Sequence, residues 1–295
     1  MKYLAIDSLA RSGTTLLSSL INSQKGCATF IGNFAEPWHI WGRPVRAINS
    51  AYKPIATVGK YEMNIPRYKK EILQIFKTRP LFNAGKTVKE WSNLFDKKDH
   101  QTFDELYDEV AAHYDVEVIG FRWNQCLYYA PLWLSRSPGH YWVLPIRNPL
   151  DRIVSNKKTH NVSFRKAYEI TEDLDQKYQT LIEQYPNNIV IVYYEDLVSD
   201  PVTTLREFFD KIDYPIREIE IQNIVGSNGK PYRNQGWRVK QKKAGIHTQG
   251  EKFTSFYTTS IGQYKDILSK VEIAQTIDLM QRTQLFKHYL DEKKD

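Results

Sequence analysis

The sequence predicts an α/β fold with a central parallel sheet covered by helices. Three observations point there. A short apolar run at residues 3–6 is followed by a polar turn and then by a helix with one apolar face. Strand-like and helix-like segments alternate along most of the chain that follows. The run Ile-Val-Ile-Val-Tyr-Tyr at residues 189–194 is continuously apolar, which is the pattern of a parallel strand buried on both faces.

Residues 3–6 read as a buried strand and 7–14 as a polar turn. Residues 15–23 read as a helix with Leu16, Leu17, Leu20 and Ile21 on one face. Residues 33–70 have no clear period and are rich in Trp, Tyr, Pro and Lys. A second helix is predicted over 102–114, where Phe103, Leu106, Tyr107, Val110 and Ala111 recur at helical spacing. Strands follow at 116–120 and 141–146, and a helix at 149–158. Asp200-Pro201 is an N-cap followed by a proline at the first helical position, opening a helix to about residue 212. A last helix is predicted over 272–289. Repeats, low-complexity tracts and an interdomain linker are absent from the sequence. It therefore predicts one domain over residues 1–295, with irregular segments at about 33–100 and 226–260. The Gly-, Lys- and Arg-rich residues 226–252 read as a long loop that orders on binding.

Of the 295 residues, 41% are hydrophobic, enough for a sizeable core. The formal net charge of +7 suits an anionic ligand, nucleic acid or a membrane surface and does not choose among them. Two isolated cysteines, Cys27 and Cys126, make neither a disulfide framework nor a zinc site. A reducing cytoplasm is the simplest setting. The first apolar run is too short for a signal peptide and ends at Asp7. No stretch nears the roughly 20 apolar residues of a membrane span.

The chemistry-bearing segment is Ala10-Arg11-Ser12-Gly13-Thr14-Thr15-Leu16, between the first strand and the first helix. Backbone N–H groups at such a helix start can hold an anion. Gly13 permits close backbone approach. The hydroxyls of Ser12, Thr14 and Thr15 add donors, and Arg11 adds a fixed charge with forked donors. An ordinary polar turn is the plainer alternative. The segment is not a Walker A loop, since no lysine follows Gly13. Gly85-Lys86-Thr87 imitates the end of that motif, but Pro80 stands where its first glycine belongs. Later come Val143-Leu144-Pro145-Ile146-Arg147-Asn148-Pro149 with Ser155, then Tyr194-Glu195-Asp196-Leu197, then Gly262-Gln263-Tyr264-Lys265.

In that order and spacing, these segments resemble the family of sulfotransferases that use 3′-phosphoadenosine 5′-phosphosulfate (PAPS), in its bacterial, carbohydrate and tyrosylprotein branches. The resemblance implies a P-loop NTPase-like sulfotransferase fold. It implies that Arg11, Ser12, Gly13, Thr14, Thr15 and Leu16 bind the 5′-phosphosulfate. Arg147 and Ser155 would bind the 3′-phosphate, with Asn148 replacing the family's usual aspartate, and Tyr194 would lie near the adenosine. Gly262 to Lys265 resembles the family's G-x-W-K segment, with Tyr264 at the tryptophan position. Plainer alternatives are a structural ion pair for Arg147, a surface position for Ser155 and a strand cap for Tyr194.

The resemblance also implies roles in catalysis. Arg11 would stabilise charge on the leaving phosphate, electrostatically, because arginine does not serve as a general acid. Glu36, in Phe34-Ala35-Glu36-Pro37-Trp38-His39-Ile40-Trp41, resembles the family's E-P segment and is the favoured general base. Aromatic surroundings would raise its pKa. His39 is the rival base. Glu36, Trp38 and Arg122 would face the acceptor, and Arg122 resembles the basic residue the family places near the transferred sulfate. The stretch Arg233, Arg238, Lys240, Lys242 and Lys243 would close over the 3′-phosphate, meet an anionic acceptor or stand as a solvated loop. The expected partners are PAPS and a hydroxyl-bearing acceptor, a carbohydrate or small alcohol, with no metal, nucleic acid or membrane. A kinase would need a lysine after the loop glycine and an acidic magnesium ligand, and the sequence shows neither convincingly. A non-enzymatic anion- or RNA-binding module fits the charge, but no RNA-binding motif occurs.

Overall fold

The computed structural model describes residues 1–7, 11–31, 86–100, 102–122, 127–135, 138–221, 246–249, 252–256 and 260–291, with scattered positions between 66 and 77 and residue 224. Five strands form one all-parallel sheet. They are β1 (Lys2–Ile6), β2 (Cys27–Ile31), β3 (Val118–Arg122), β4 (His140–Ile146) and β5 (Ile189–Tyr193), in the order β2-β3-β1-β4-β5. β1 is central, with Ile6 opposite Arg122 on one side and Val143 on the other. A separate antiparallel pair joins β6 (Ile246–Gln249) and β7 (Lys252–Phe256).

The period-2 alternation of side chains splits the core into two layers. Tyr3 and Ala5 of β1 join Trp142, Leu144 and Ile146 of β4 in one cluster. Leu4 and Ile6 join Tyr141 and Val143 in the other. The second layer is covered by α1 (Thr14–Asn22) and by α8 (Pro201–Lys211), which follows the short α7 (Tyr194–Ser199). The first is covered by α2 (Val88–Lys97), α3 (Phe103–Tyr114), α4 (Ala130–Leu134), α5 (Pro149–His160) and α6 (Phe164–Gln184), then by α9 (Tyr264–Ile267), α10 (Lys270–Arg282) and α11 (Gln284–Asp291). Reciprocal capping boxes start three of these helices: Thr87 with Glu90, Thr102 with Glu105, and Ser269 with Glu272. Each such cap is worth about 1 kcal/mol. Thr87 is the N-cap of α2, and its side chain is engaged with Glu90.

Several expectations are corrected. The apolar run at 189–194 forms a parallel strand, but not one buried on both faces. β5 lies at the sheet edge, and only Val190 and Val192 are fully buried while Ile189, Ile191 and Tyr193 are half-covered. The strand stops at Tyr193, and Tyr194 begins α7. The third strand runs to Arg122, two residues beyond the predicted end, so Arg122 belongs to the strand. The single helix predicted over 272–289 is two helices, because Thr283 adopts an extended conformation between them. Within the predicted loop at 226–252, residues 246–249 form a strand.

Candidate functional site

The sheet order places the site. The connection after β1 runs through α1 toward β2, on one side of β1. The connection after β4 runs through α5 and α6 toward β5, on the other. The chain thus leaves two adjacent strands in opposite directions and opens a crevice at their carboxyl ends, where α/β sheets bind ligands. Arg11 follows β1 there, and Arg147 follows β4.

The turn after β1 is strained in a specific way. Arg11 has φ 75° and Gly13 has φ 88°, both left-handed. A non-glycine residue there costs of order 1–3 kcal/mol and persists where surrounding structure holds it. Gly13 is the N-cap of α1 and provides no side-chain cap, so the N–H groups of the first turn lack the usual side-chain acceptor. Glycine is required for space as well. A Cβ on Gly13 would lie 2.5 Å from Cδ2 of Tyr194. Ser12 is buried, while Thr15 is exposed and Thr14 half-buried.

Arg147 is 6% exposed. Its Nη1 donates to the carbonyl of Arg11 at 3.2 Å and its Nη2 to that of Ser260 at 2.6 Å. Its guanidinium carbon lies 5.0 Å from the centre of the Tyr194 ring, a cation–π approach. Its Nε is buried without a hydrogen-bond partner among the described residues. Nε of Arg11 donates to Ser155 Oγ at 3.0 Å. Ser155 lies on α5, half-buried, and Tyr194 Oη lies 3.4 Å from Ser260 Oγ. Arg11, Arg147, Ser155 and Tyr194, distant in sequence, therefore meet at one place.

A supporting shell holds them. Asn148 caps α5, its side chain accepting from Leu150 N at 3.0 Å, so asparagine does the capping an aspartate would do. Its own N–H donates to Glu195 Oε1 at 3.2 Å. Asp151 accepts from Gly262 N at 2.7 Å and Tyr264 N at 3.3 Å, fastening the Gly262–Lys265 segment to α5. Burial pushes the Asp151 and Glu195 carboxyls up. Hydrogen bonds to both, and the neighbouring charge of Arg147, pull them partly back.

Sequence reasoning missed Ser260 and Asp151 as parts of this arrangement. Ser260 contributes a backbone carbonyl, which leaves no residue-type signal. Arg122 stands at the carboxyl end of β3, opposite Ile6, on the same rim of the sheet. Glu36, Trp38 and His39 lie outside the described residues, as do the 226–245 stretch with its basic residues and Ala10.

A sulfotransferase family model matches residues 4–218, more than half of the chain and including Arg11, Arg147, Ser155 and Tyr194. The chain belongs to the sulfotransferase family. Several solved structures are similar to it. The sulfotransferase domain of the Synechococcus PCC 7002 olefin synthase is 14% identical with a TM-score of 0.56, the match covering 95% of this chain and 93% of that one. A sulfotransferase domain from the curacin biosynthetic pathway is 15% identical over 78% of this chain and 83% of its own, with a TM-score of 0.49. A sulfotransferase of Alicyclobacillus acidocaldarius is 14% identical over 75% and 87%, with a TM-score of 0.42. No curated protein matches the sequence. As a sulfotransferase, the chain is an enzyme that takes a donor and an acceptor. No helix among the described residues is long and apolar enough to cross a membrane.

Proposed function

We propose that this sulfotransferase moves a sulfuryl group from PAPS to a hydroxyl of an acceptor, a carbohydrate or a small alcohol. The observation that supports the donor most is the convergence of Arg11, Arg147 and Ser155 at the β1/β4 crevice, with Tyr194 against them. The residues fit an adenosine bearing phosphates at both ends. Arg147 offers a buried Nε without a partner, and the first turn of α1 offers N–H groups beside Gly13.

Arg147 and Ser155 hold the 3′-phosphate, and the Arg11–Leu16 turn holds the 5′-phosphosulfate. Arg11 stays protonated and stabilises negative charge on the departing phosphate oxygen, pre-aimed by its left-handed backbone. Holding the donor in line with the acceptor oxygen supplies much of the rate, as it does in phosphoryl transfer. Glu36 takes the proton of the acceptor hydroxyl. Trp38 stacks on the acceptor, as tryptophans do on sugar faces, and Arg122 faces the transferred group from the β3 end of the rim. The enzyme works as one domain in the cytoplasm.

Calorimetry with 3′-phosphoadenosine 5′-phosphate (PAP) in EDTA tests the donor. Binding is expected, and its absence at millimolar PAP overturns the reading. Arg147→Ala should weaken PAP by about 1.5–3 kcal/mol, the worth of a charge-assisted phosphate contact. An equal loss for adenosine 5′-phosphosulfate, which lacks the 3′-phosphate, would assign Arg147 elsewhere. A panel of hydroxyl acceptors with labelled PAPS then identifies the acceptor.

A further inference from the structure

Tyr289 lies on α11, well outside the stretch that matches the sulfotransferase family, and is 3% exposed. Its ring packs edge-on against Tyr193 with centroids 5.5 Å apart. Its hydroxyl shares its single proton between two acceptors, the nearer being Glu195 Oε2 at 2.8 Å and the other the carbonyl of Ile146 at 3.2 Å. Ile146 is the last residue of β4 and immediately precedes Arg147. Glu195 follows Tyr194 and accepts through Oε1 from the N–H of Asn148, which immediately follows Arg147. The residues on both sides of Arg147 are therefore tied to one phenol, the first directly and the second through one carboxylate. Burial and the Glu195 carboxylate push the phenol well above its ordinary range, so it stays a donor. Phenylalanine would fill the same core space, which leaves the hydroxyl to be explained by what it bonds.

We propose that Tyr289 is a positioning residue for the donor site: its hydroxyl holds the Ile146 carbonyl and Glu195, and these fix the turn that aims Arg147 at the 3′-phosphate. The proposal rests on the PAPS reading above. Arg147 has no acidic side chain as a hydrogen-bonding anchor among the described contacts. It is directed by carbonyls of Arg11 and Ser260 and by the backbone on which it stands. A shift of that turn changes where its free Nε points while leaving the sheet intact.

The test compares two ligands across one variant. Tyr289→Phe keeps the ring and removes the hydroxyl. PAP should bind about three- to tenfold more weakly, the loss of one buried hydrogen bond. Adenosine 5′-phosphosulfate should bind as to the wild type, and KM for PAPS should rise with kcat little changed. Unchanged PAP affinity overturns the proposal, and so does an equal loss for both ligands, which marks general loosening. Wild-type protein that fails to bind PAP removes the donor reading and this proposal together, so the two failures are told apart. If Tyr289→Phe does not fold, Glu195→Gln serves. Glutamine has one acceptor oxygen where two donors, Tyr289 and Asn148, now arrive. The same 3′-phosphate-selective loss is expected, and its absence overturns the proposal.

Discussion

Arg11 and Ser155 are joined by a 3.0 Å hydrogen bond from Nε to Oγ, although one follows the first strand and the other lies in the middle of α5. The bond places the residue assigned to the 5′ end of the donor beside a residue assigned to its 3′ end. On the proposed reading, the two ends of the donor meet groups that already touch.

Arg11→Gly separates backbone strain from chemistry. Glycine adopts φ 75° without the penalty arginine carries there, and its added unfolded-state entropy offsets the gain. Stability should stay within about 1 kcal/mol of wild type. Turnover should fall on the order of 10²–10³, as for loss of one pre-aimed electrostatic group. Thermal melts and PAPS turnover, measured side by side, check it. Retained turnover would remove Arg11 from catalysis.

Gly13→Ala and Gly262→Ala should differ although both glycines have positive φ, 88° and 78°. At Gly13 the new methyl meets Tyr194 Cδ2 at 2.5 Å, and at Gly262 nothing lies within 4 Å. Gly262→Ala should cost about 1 kcal/mol of backbone strain. Gly13→Ala should cost about 1–3 kcal/mol more and weaken PAP, because Tyr194 must move. Urea unfolding and PAP calorimetry on the pair decide it, and equal costs would refute the steric argument.

Asp175→Asn should stabilise the protein in alkaline solution. Asp175 is 4% exposed, its Oδ1 has no hydrogen-bond partner among the described residues, and burial pushes its carboxyl from 3.8 to about 7. A raised acid binds its proton more tightly folded than unfolded. Stability is therefore lost as pH rises from about 4 through 7, and the full penalty applies above 7. The variant should gain about 2–4 kcal/mol at pH 8 and little at pH 4. Urea midpoints at the two pH values measure the difference, and a gain that does not change with pH would exclude the titration of Asp175 as its cause.

Glu36→Gln should abolish turnover, on the order of 10²–10⁴, while sparing PAP affinity. His39→Gln should be measured beside it. A dead histidine variant with an active Glu36→Gln makes His39 the base. Two active variants make the Phe34–Trp41 segment acceptor-binding or structural.

The meeting of Arg11 and Arg147, on which the proposed donor site rests, was legible because both carry charge at strand ends. Arg11 and Arg147 each follow a buried apolar run, and the crevice between the two strands brings them together. What was not legible lacks such a signal. The longest described helix, α6, buries Ala167, Thr171, Leu174, Asp175, Tyr178 and Leu181, a helical spacing whose apolar face is interrupted by Thr and Asp. The break at Thr283 has no glycine or proline to announce it, and tertiary packing decides it. The edge position of β5 is a property of strand order, which an apolar run does not encode. The role of Tyr289 comes from contacts across 143 and 94 residues of sequence.

The strand order has a consequence for synthesis. β1 and β2 emerge first, yet β3 lies between them, and β1 meets its other neighbour only in β4. Among the described strands of the main sheet, the first 117 residues contain two and no ladder between them. A nascent chain of that length carries β1 and β2 before their shared partner β3 is made, and parallel ladders that close over such distances form slowly. The apolar core strand that precedes the Arg11–Leu16 turn must wait on the ribosome, shielded or at risk of aggregation, until β3 appears.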